Sequence, residues 1–444
     1  MNHIQLSDHF SYGRLLRFTF PSMVMMIFTS IYGVVDGIFV SNFAGKTPFA
    51  AINLIMPYIM VFGTLGFMIG TGGTALVSMT LGTGDKKRAN EIFSLLMYTC
   101  VAGGIGLSVL SLIFLRPAAI LLGAEGQILE DCIRYARIIL PGTTAFILQN
   151  AFQSFCITAE KPNLGLGITV AAGLTNIVLD ALFVGLLRWG IQGAAFATVI
   201  SQCVGGLIPF VYFALPNKSL LRLGKTRFDG SALVRTFTNG SSELMSNLSM
   251  SLVSMLYNLQ LLRYAGEDGV AAYGVIMYVN FIFLAVFIGY SIGSAPIVGF
   301  HYGADNRDEL KSLLRKSVVL LSSFALVMTF LALTLAKPLS AIFVGYDDAL
   351  LEMTVRAFMI YSLSFLVCGF NIFGSSFFTA LNNGLISALI SFLRTLVFQV
   401  GAVLILPLML GLDGIWWSVL VAEGASLVLT VFFLVKNKNR YHYA

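Results

Sequence analysis

Nine side chains able to do ionic or strongly polar chemistry lie inside apolar stretches of this chain. Asp36, Asn176, Asp180, Thr198, Tyr32 and Asn150 fall in the first half, and Glu243, Arg394 and Glu423 in the second. Charge within hydrocarbon is costly, so a carboxylate or guanidinium placed there is a functional hypothesis by default. Depth follows from the helical rise of about 1.5 Å per residue. Asp36 stands six residues before Asn42, about 9 Å from the end of its run, and Asp180 eight before Arg188, about 12 Å in. Thr198, eight past Gly190, also comes to about 12 Å, and Tyr32, a turn before Asp36, to about 15 Å. Asn176 is one turn from Asp180 on the same helix face, at about 18 Å, near the level of Asn150 at about 20 Å. Two carboxylates, two amides, a hydroxyl and a phenol thus share one layer. Hard oxygen donors of this kind suit Na⁺, and two adjacent carboxylates can hold a proton between them. The competing reading is that these groups only satisfy one another between packed helices, and it weighs most on Thr198, Tyr32 and Asn150.

In the second half Glu243 lies about 12 Å from the inner end of its run, Arg394 about 15 Å from Gly384, and Glu423 about 16 Å from the inner side. These depths bring the three into one polar cluster with Arg394 paired to an acid. A structural ion pair and a transport role fit it equally.

The elements that must position these groups are membrane helices. The chain is 57% hydrophobic and 11% charged, against about 25% charged in soluble domains, and its mean hydropathy is +0.86. Runs of about 20 apolar residues span a bilayer. Six fall in the first half, at 15–43, 48–73, 92–115, 135–158, 164–187 and 190–215, and six in the second, at 233–264, 270–300, 313–336, 357–381, 385–410 and 414–435.

The halves repeat one plan without a gap. At a single offset of 221 residues, Ala44-Gly45 returns as Ala265-Gly266, Gly82 as Gly303, Pro117 as Pro338, Asn150 as Asn371, and Gly190 and Gly193 as Gly411 and Gly414. The charges are not repeated: Asp36 meets Tyr257, Asp180 meets Gly401, Arg394 meets Gly173 and Glu423 meets Gln202. An even number of spans per repeat gives both halves the same orientation. The expected fold is therefore an all-α polytopic membrane protein. Its twelve transmembrane helices form two six-helix lobes related by a pseudo-twofold axis along the membrane normal. The expected units are an N-lobe at 1–215, a cytoplasmic linker at 216–235 and a C-lobe at 236–444.

Lys and Arg concentrate on one side, at Lys86, Lys87 and Arg88, across 218–235, at 307–316 and at 436–440. By the positive-inside rule both termini lie in the cytoplasm. The net charge of +6 reflects this bias, and with no basic domain outside the membrane it excludes a nucleic-acid partner. The first run is too long for a cleaved signal. Four of the five cysteines lie in apolar runs and Cys132 is expected in an outer loop, so no disulfide framework is expected. His3, His9, His301 and His442 fall near ends or loops, no phosphate-binding glycine loop is present, and no cofactor is implied. The chain reads as a transporter rather than an enzyme. Met and Phe along many helices, such as Met56, Met60, Met277 and Phe281, can re-pack around varied ligands.

Beyond the polar layer, several segments resemble the multidrug and toxin extrusion (MATE) family over nearly the full length. They are VDGIFVSNFAG around Asp36, PFAAINLIMP after it, TAEKPN at 158–163, TNIVLDALFV around Asn176 and Asp180, GIQGAAFATVISQ through Thr198, and YGADNRDE from Tyr302. The short loops point to the MepA/DinF-like bacterial branch. The resemblance implies a multi-pass inner-membrane antiporter, and the two fused lobes make a working monomer the expected unit. It would export small organic cations or amphipathic drugs and toxic metabolites in exchange for H⁺ or Na⁺, by rocking two lobes about a central cavity. It places the cation site, with Na⁺ as one occupant, on Asp36, Asn176, Asp180 and Thr198, with Tyr32 and Asn150 in support, and Glu243 on the family's acidic position in the seventh helix. The NorM-like branch carries an aspartate in the tenth helix, and 357–381 has no acid, which moves the expected coupling to the first lobe. The competing reading is a lipid-linked precursor flippase of the same superfamily, which calls for a more cationic cavity.

Overall fold

The computed structural model describes residues 4–443, with only the backbone at Ser41 and Lys46; His3 lies outside the described residues. Twelve helices build two lobes. The first lobe holds α1 (Tyr12–Ala44), α2 (Lys46–Gly82), α3 (Lys86–Leu121), α4 (126–158), α5 (Pro162–Leu186) and α6 (Gly190–Ala214). The second holds α7 (230–265), α8 (267–303), α9 (Arg307–Val344), α10 (348–380), α11 (Gly384–Leu410) and α12 (Leu412–Tyr441). Helices are the natural solution in lipid, because each backbone N–H and C=O is satisfied within its own segment.

The repeat is written into the backbone as well as the sequence. Gly45 and Gly266 take φ of 104° and 63° between the first two helices of each lobe, and Gly190 and Gly411 take 59° and 60° before the last. A side chain with a Cβ is disfavoured in that region. Asp85 and Asn306, also equivalent, both cap the third helix of their lobe, accepting from the N–H of Arg88 at 2.9 Å and of Glu309 at 3.2 Å.

Hydropathy placed several helix starts too late. Both α4 and α10 begin nine residues before the expected span, at Gly126 and Asp348, and α7 begins at Gly230, inside the expected linker. The helices continue past the apolar run, and in α7 and α10 a polar cap marks the start: Asp229 accepts from Ser231 N and Ala232 N at 3.0 and 3.1 Å, and Asp347 from Ala349 N and Leu350 N at 3.0 and 3.1 Å. The early start corrects the expectation for Cys132. It lies in the first turns of α4, fully buried, with its thiol donating to the Ala51 carbonyl at 3.3 Å, and not in an outer loop. α10 bends by 48° between Ser362 and Phe365.

Between the lobes, backbones approach closely at glycine. A Cβ on Gly82 would lie 2.9 Å from Ala304 N, and one on Gly303 would lie 2.9 Å from Met79 Cα. These equivalent residues sit where α2 crosses α8. Gly72 is set against Gly240 of α7, and its equivalent Gly293 against Thr19 and Ser22 of α1. Asn382 joins the same end, donating to the Ala75 carbonyl at 3.1 Å and accepting from Asn239 at 2.7 Å. The N-terminal strap closes it further. Leu6 and Phe10 are fully buried. Glu309 accepts from Phe10 N at 2.9 Å and meets His9 Nδ1 at 2.6 Å, while Lys316 donates to the Phe10 carbonyl. Asp36 stands 17 residues from Thr19, about 25 Å along α1 from this tight end.

Candidate functional site

Two helices carry the acids. α1 runs regularly through Pro21 to Phe39 and then widens into a π turn at Val40–Ala44, whose first N–H bonds the carbonyl of Asp36. α5 ends its regular stretch at Asp180 and widens into a π turn at Ala181–Leu186. A third π turn, Leu393–Phe398 in α11, carries Arg394. Such insertions gather at functional sites because they re-aim side chains within an otherwise regular helix. α1 and α5 are brought together by Gly173, over which the rings of Phe28 and Tyr32 pack.

The carboxyl groups of Asp36 and Asp180 meet within hydrogen-bonding reach, and the Asn176 side chain reaches Asp36. Asp180 is fully buried and Asn176 is 2% exposed. Two carboxylates are acceptors only, so their contact satisfies neither unless a proton lies between them. The orphaned atoms record this: Asp36 Oδ1, both Asp180 carboxylate oxygens and Asn176 Oδ1 are buried without a donor. Unpaired acceptors of this kind cost free energy that a cation recovers. The donor set fits Na⁺ or a proton, and Asp36, Asp180 and Asn176 are the residues that would hold it.

The remaining expected residues stand around this core at different removes. Tyr32 extends from beside Asp36 toward Gln149 of α4. Thr198 bonds its own helix at the Ala194 carbonyl, 3.0 Å away, and its hydroxyl faces Tyr135. Asn150 is buried on α4 with its Nδ2 unpaired, and it is not among the groups that meet the acids. Sequence reading missed Tyr135 and Gln149. Both are buried, and the Tyr135 hydroxyl stands within electrostatic reach of Asp36 and Asp180. Gln149 is lodged against Gly205 of α6, whose Cβ would lie 2.7 Å from the Gln149 amide carbon.

The second-lobe trio separates. Arg394 and Glu423 form a two-pronged ion pair, with Nη2 to Oε1 at 2.7 Å and Nε at 2.9 and 3.0 Å from the two oxygens. Asn371 donates to Glu423 Oε2 at 2.7 Å and accepts from Thr430 at 3.1 Å. Glu243 does not join them: it is half-buried on α7, outside this network. Counting residues along a helix carries no information on which way its face points.

A duplicated twelve-helix membrane protein with an acceptor-rich polar layer in one lobe and a closed ion pair in the other is the architecture of a membrane transporter. The MatE family model matches twice, over residues 21–182 and 244–404, once in each lobe, and the chain belongs to that family, a family of transporters. It is similar to the multidrug export protein MepA of Staphylococcus haemolyticus, 24% identical over 96% of this chain and 94% of that protein. Similarity to MepA of Staphylococcus aureus is 22% over the same shares. Among solved structures, an outward-facing multidrug resistance MATE transporter of the MOP superfamily superposes with a TM-score of 0.93. It is 22% identical, over 100% of this chain and 99% of that one. A MOP superfamily transporter from Pyrococcus furiosus gives 0.90 at 22% identity, over 99% and 98%. These structures share the fold of twelve helices in two lobes.

Proposed function

We propose that this protein is a cation-coupled antiporter of the bacterial inner membrane. It exports drugs, as the name multidrug export protein of its MepA relatives suggests, and its substrates are small organic cations or amphipathic drugs and toxic metabolites. The observation that carries the reading is the group of four buried, donor-less oxygens on Asp36, Asp180 and Asn176. A Na⁺ or H⁺ taken up there neutralises two carboxylates in one step. Tyr32 and Tyr135 border the layer, and Tyr32 extends toward Gln149 of α4, so occupancy is felt by the packing of α1 against α5. The site stands far from the tight inter-lobe crossing at Gly82 and Gly303. Discharge and loading of the layer bias which end of the inter-lobe cleft is open, and the lobes rock about that crossing. Pro21, early in α1, weakens one backbone bond there and provides a place for the helix to bend. Drug and cation then act on each other's affinity reciprocally. Thr198 and Asn150 serve the layer from its rim, and Glu243 offers an acid to a cationic substrate in the cleft. Both termini face the cytoplasm, and one chain with two fused lobes acts as a monomer. The protein catalyses no covalent chemistry.

The test is efflux of a fluorescent organic cation from liposomes holding the purified protein, with Na⁺ and pH gradients imposed separately. Efflux should follow one gradient and fail in Asp36→Asn. Unchanged gradient-driven efflux in that variant would remove the acid pair from the mechanism.

A further inference from the structure

We propose that Arg394 is a tethered cation: its guanidinium holds permanently, in the second lobe, the role a mobile coupling cation fills in the first. Coupling then runs through one lobe only. This rests on the antiport reading above and specifies how the two lobes divide the work.

The repeat supplies the comparison. α7, α10, α11 and α12 are the equivalents of α1, α4, α5 and α6, which build the first-lobe layer. At equivalent positions Asp36 is replaced by Tyr257, Asn150 by Asn371 and Gln202 by Glu423. Both layers therefore contain carboxylate in a buried setting, and they differ in what neutralises it. In the first lobe the carboxylate oxygens of Asp180 and one of Asp36 have no donor. In the second, both oxygens of Glu423 are paired: they share the Arg394 Nε–H at 2.9 and 3.0 Å, Oε1 lies 2.7 Å from Arg394 Nη2, and Oε2 also accepts from Asn371 Nδ2 at 2.7 Å. Asn371 is fixed in turn by Thr430. Charge-assisted, two-pronged pairing of this kind is the strongest the side chains can make. A guanidinium does not give up its proton in a protein, so this cation cannot leave. Arg394 projects from a π turn in α11, as Asp180 does at the edge of one in α5. Tyr257, Tyr361 and Cys368 face the pair and bring no competing charge.

The consequence is testable, because removing the tether should convert Glu423 into a site for a mobile cation. The measurement is thermal unfolding of the purified full-length protein against Na⁺ concentration and, separately, against pH. Wild type should gain stability with the coupling cation, and Asp36→Asn should lose that response. In the Asp36→Asn/Arg394→Gln double variant the response should return, as a rise of a few degrees at saturating cation. Adding Glu423→Gln should abolish it again. Arg394→Lys in the Asp36→Asn background keeps the tether and should stay unresponsive. Arg394→Gln that folds only in high Na⁺ or at low pH is the same result in stronger form. A folded double variant that responds to neither Na⁺ nor pH overturns the proposal. So does an Arg394→Gln protein that neither condition rescues while Arg394→Gln/Glu423→Gln folds. Persistence of the wild-type response in Asp36→Asn alone would instead count against the antiport reading.

Discussion

A methyl group added at Gly82 should hold open the end of the molecule that this structure shows closed. The Cβ would press into the Phe300 carbonyl and lie 2.9 Å from Ala304 N, and both obstacles are backbone. Neither can swing aside as a flexible side chain would, so α2 and α8 must part. Overpacking of this kind costs about 1–3 kcal/mol. The cost falls on the state with the helices crossed, so the equilibrium between states should move by about 5- to 150-fold toward the one in which they separate. Pulsed electron paramagnetic resonance between labels at Lys87→Cys and Asp308→Cys, both exposed at the starts of α3 and α9, reads the separation directly. Of the native thiols only Cys203 is less than fully buried, so its removal gives a clean background. Gly82→Ala should populate a longer distance and slow transport, while Gly106→Ala, with open space around its Cβ, should do neither. A folded Gly82→Ala protein with unchanged distances and transport would refute the crossing as the closing contact.

Other parts of the structure carry their own expectations. Glu309→Ala strips the acceptor from the buried Phe10 N–H and frees His9, so it should cost about 1–3 kcal/mol; a lower unfolding temperature with faster proteolysis near residue 10 would show it. Tyr135→Phe removes one hydroxyl beside Thr198, a loss of about 1 kcal/mol, and should weaken apparent cation affinity about fivefold in liposome efflux. Asp229 caps α7 and pairs with Arg88, and the bonds from Ala232 N, then Arg88 and Ser231 N, hold its carboxyl below the usual carboxylate range. Its contribution to stability is therefore complete above the unfolded value, about 3.9, and is lost as pH falls through the lower folded value. Asp229→Ala should cost about 1 kcal/mol at neutral pH and almost nothing at the acid end, as a pair of pH-dependent melting curves would reveal.

Much of this was legible in the sequence, for reasons tied to particular residues. The lobes were visible because Gly45/Gly266 and Gly190/Gly411 need unusual φ and the repeat preserves them without a gap. Asp36 and Asp180 stood out because charge in an apolar run is rare, and counting turns put them at similar depths. Counting gives depth and not azimuth, however. Gln149 and Asn150 are neighbours on α4, about 100° apart around its axis, and it is Gln149 that Tyr32 meets. The same blindness assigned Glu243 to a cluster it does not join. Tyr135 was passed over as the start of a span because the first turns of α4 are too polar to read as membrane helix. The π turns leave no mark in periodicity, since one extra residue in a turn changes the pattern less than the variation among side chains does. The Arg394–Glu423 pair was within reach of depth alone because only one base lies that deep in the chain.

The central claim is that cation movement and drug movement are one process joined at Asp36 and Asp180. The direct measurement imposes only a gradient of a drug cation across proteoliposomes, with no ion gradient and the membrane potential clamped, and records internal Na⁺ and pH. The account predicts that the drug gradient drives one of these ions in the opposite direction in wild type and moves neither in Asp180→Asn. Drug flux without ion counterflow in wild type, or counterflow that persists in Asp180→Asn, would contradict it.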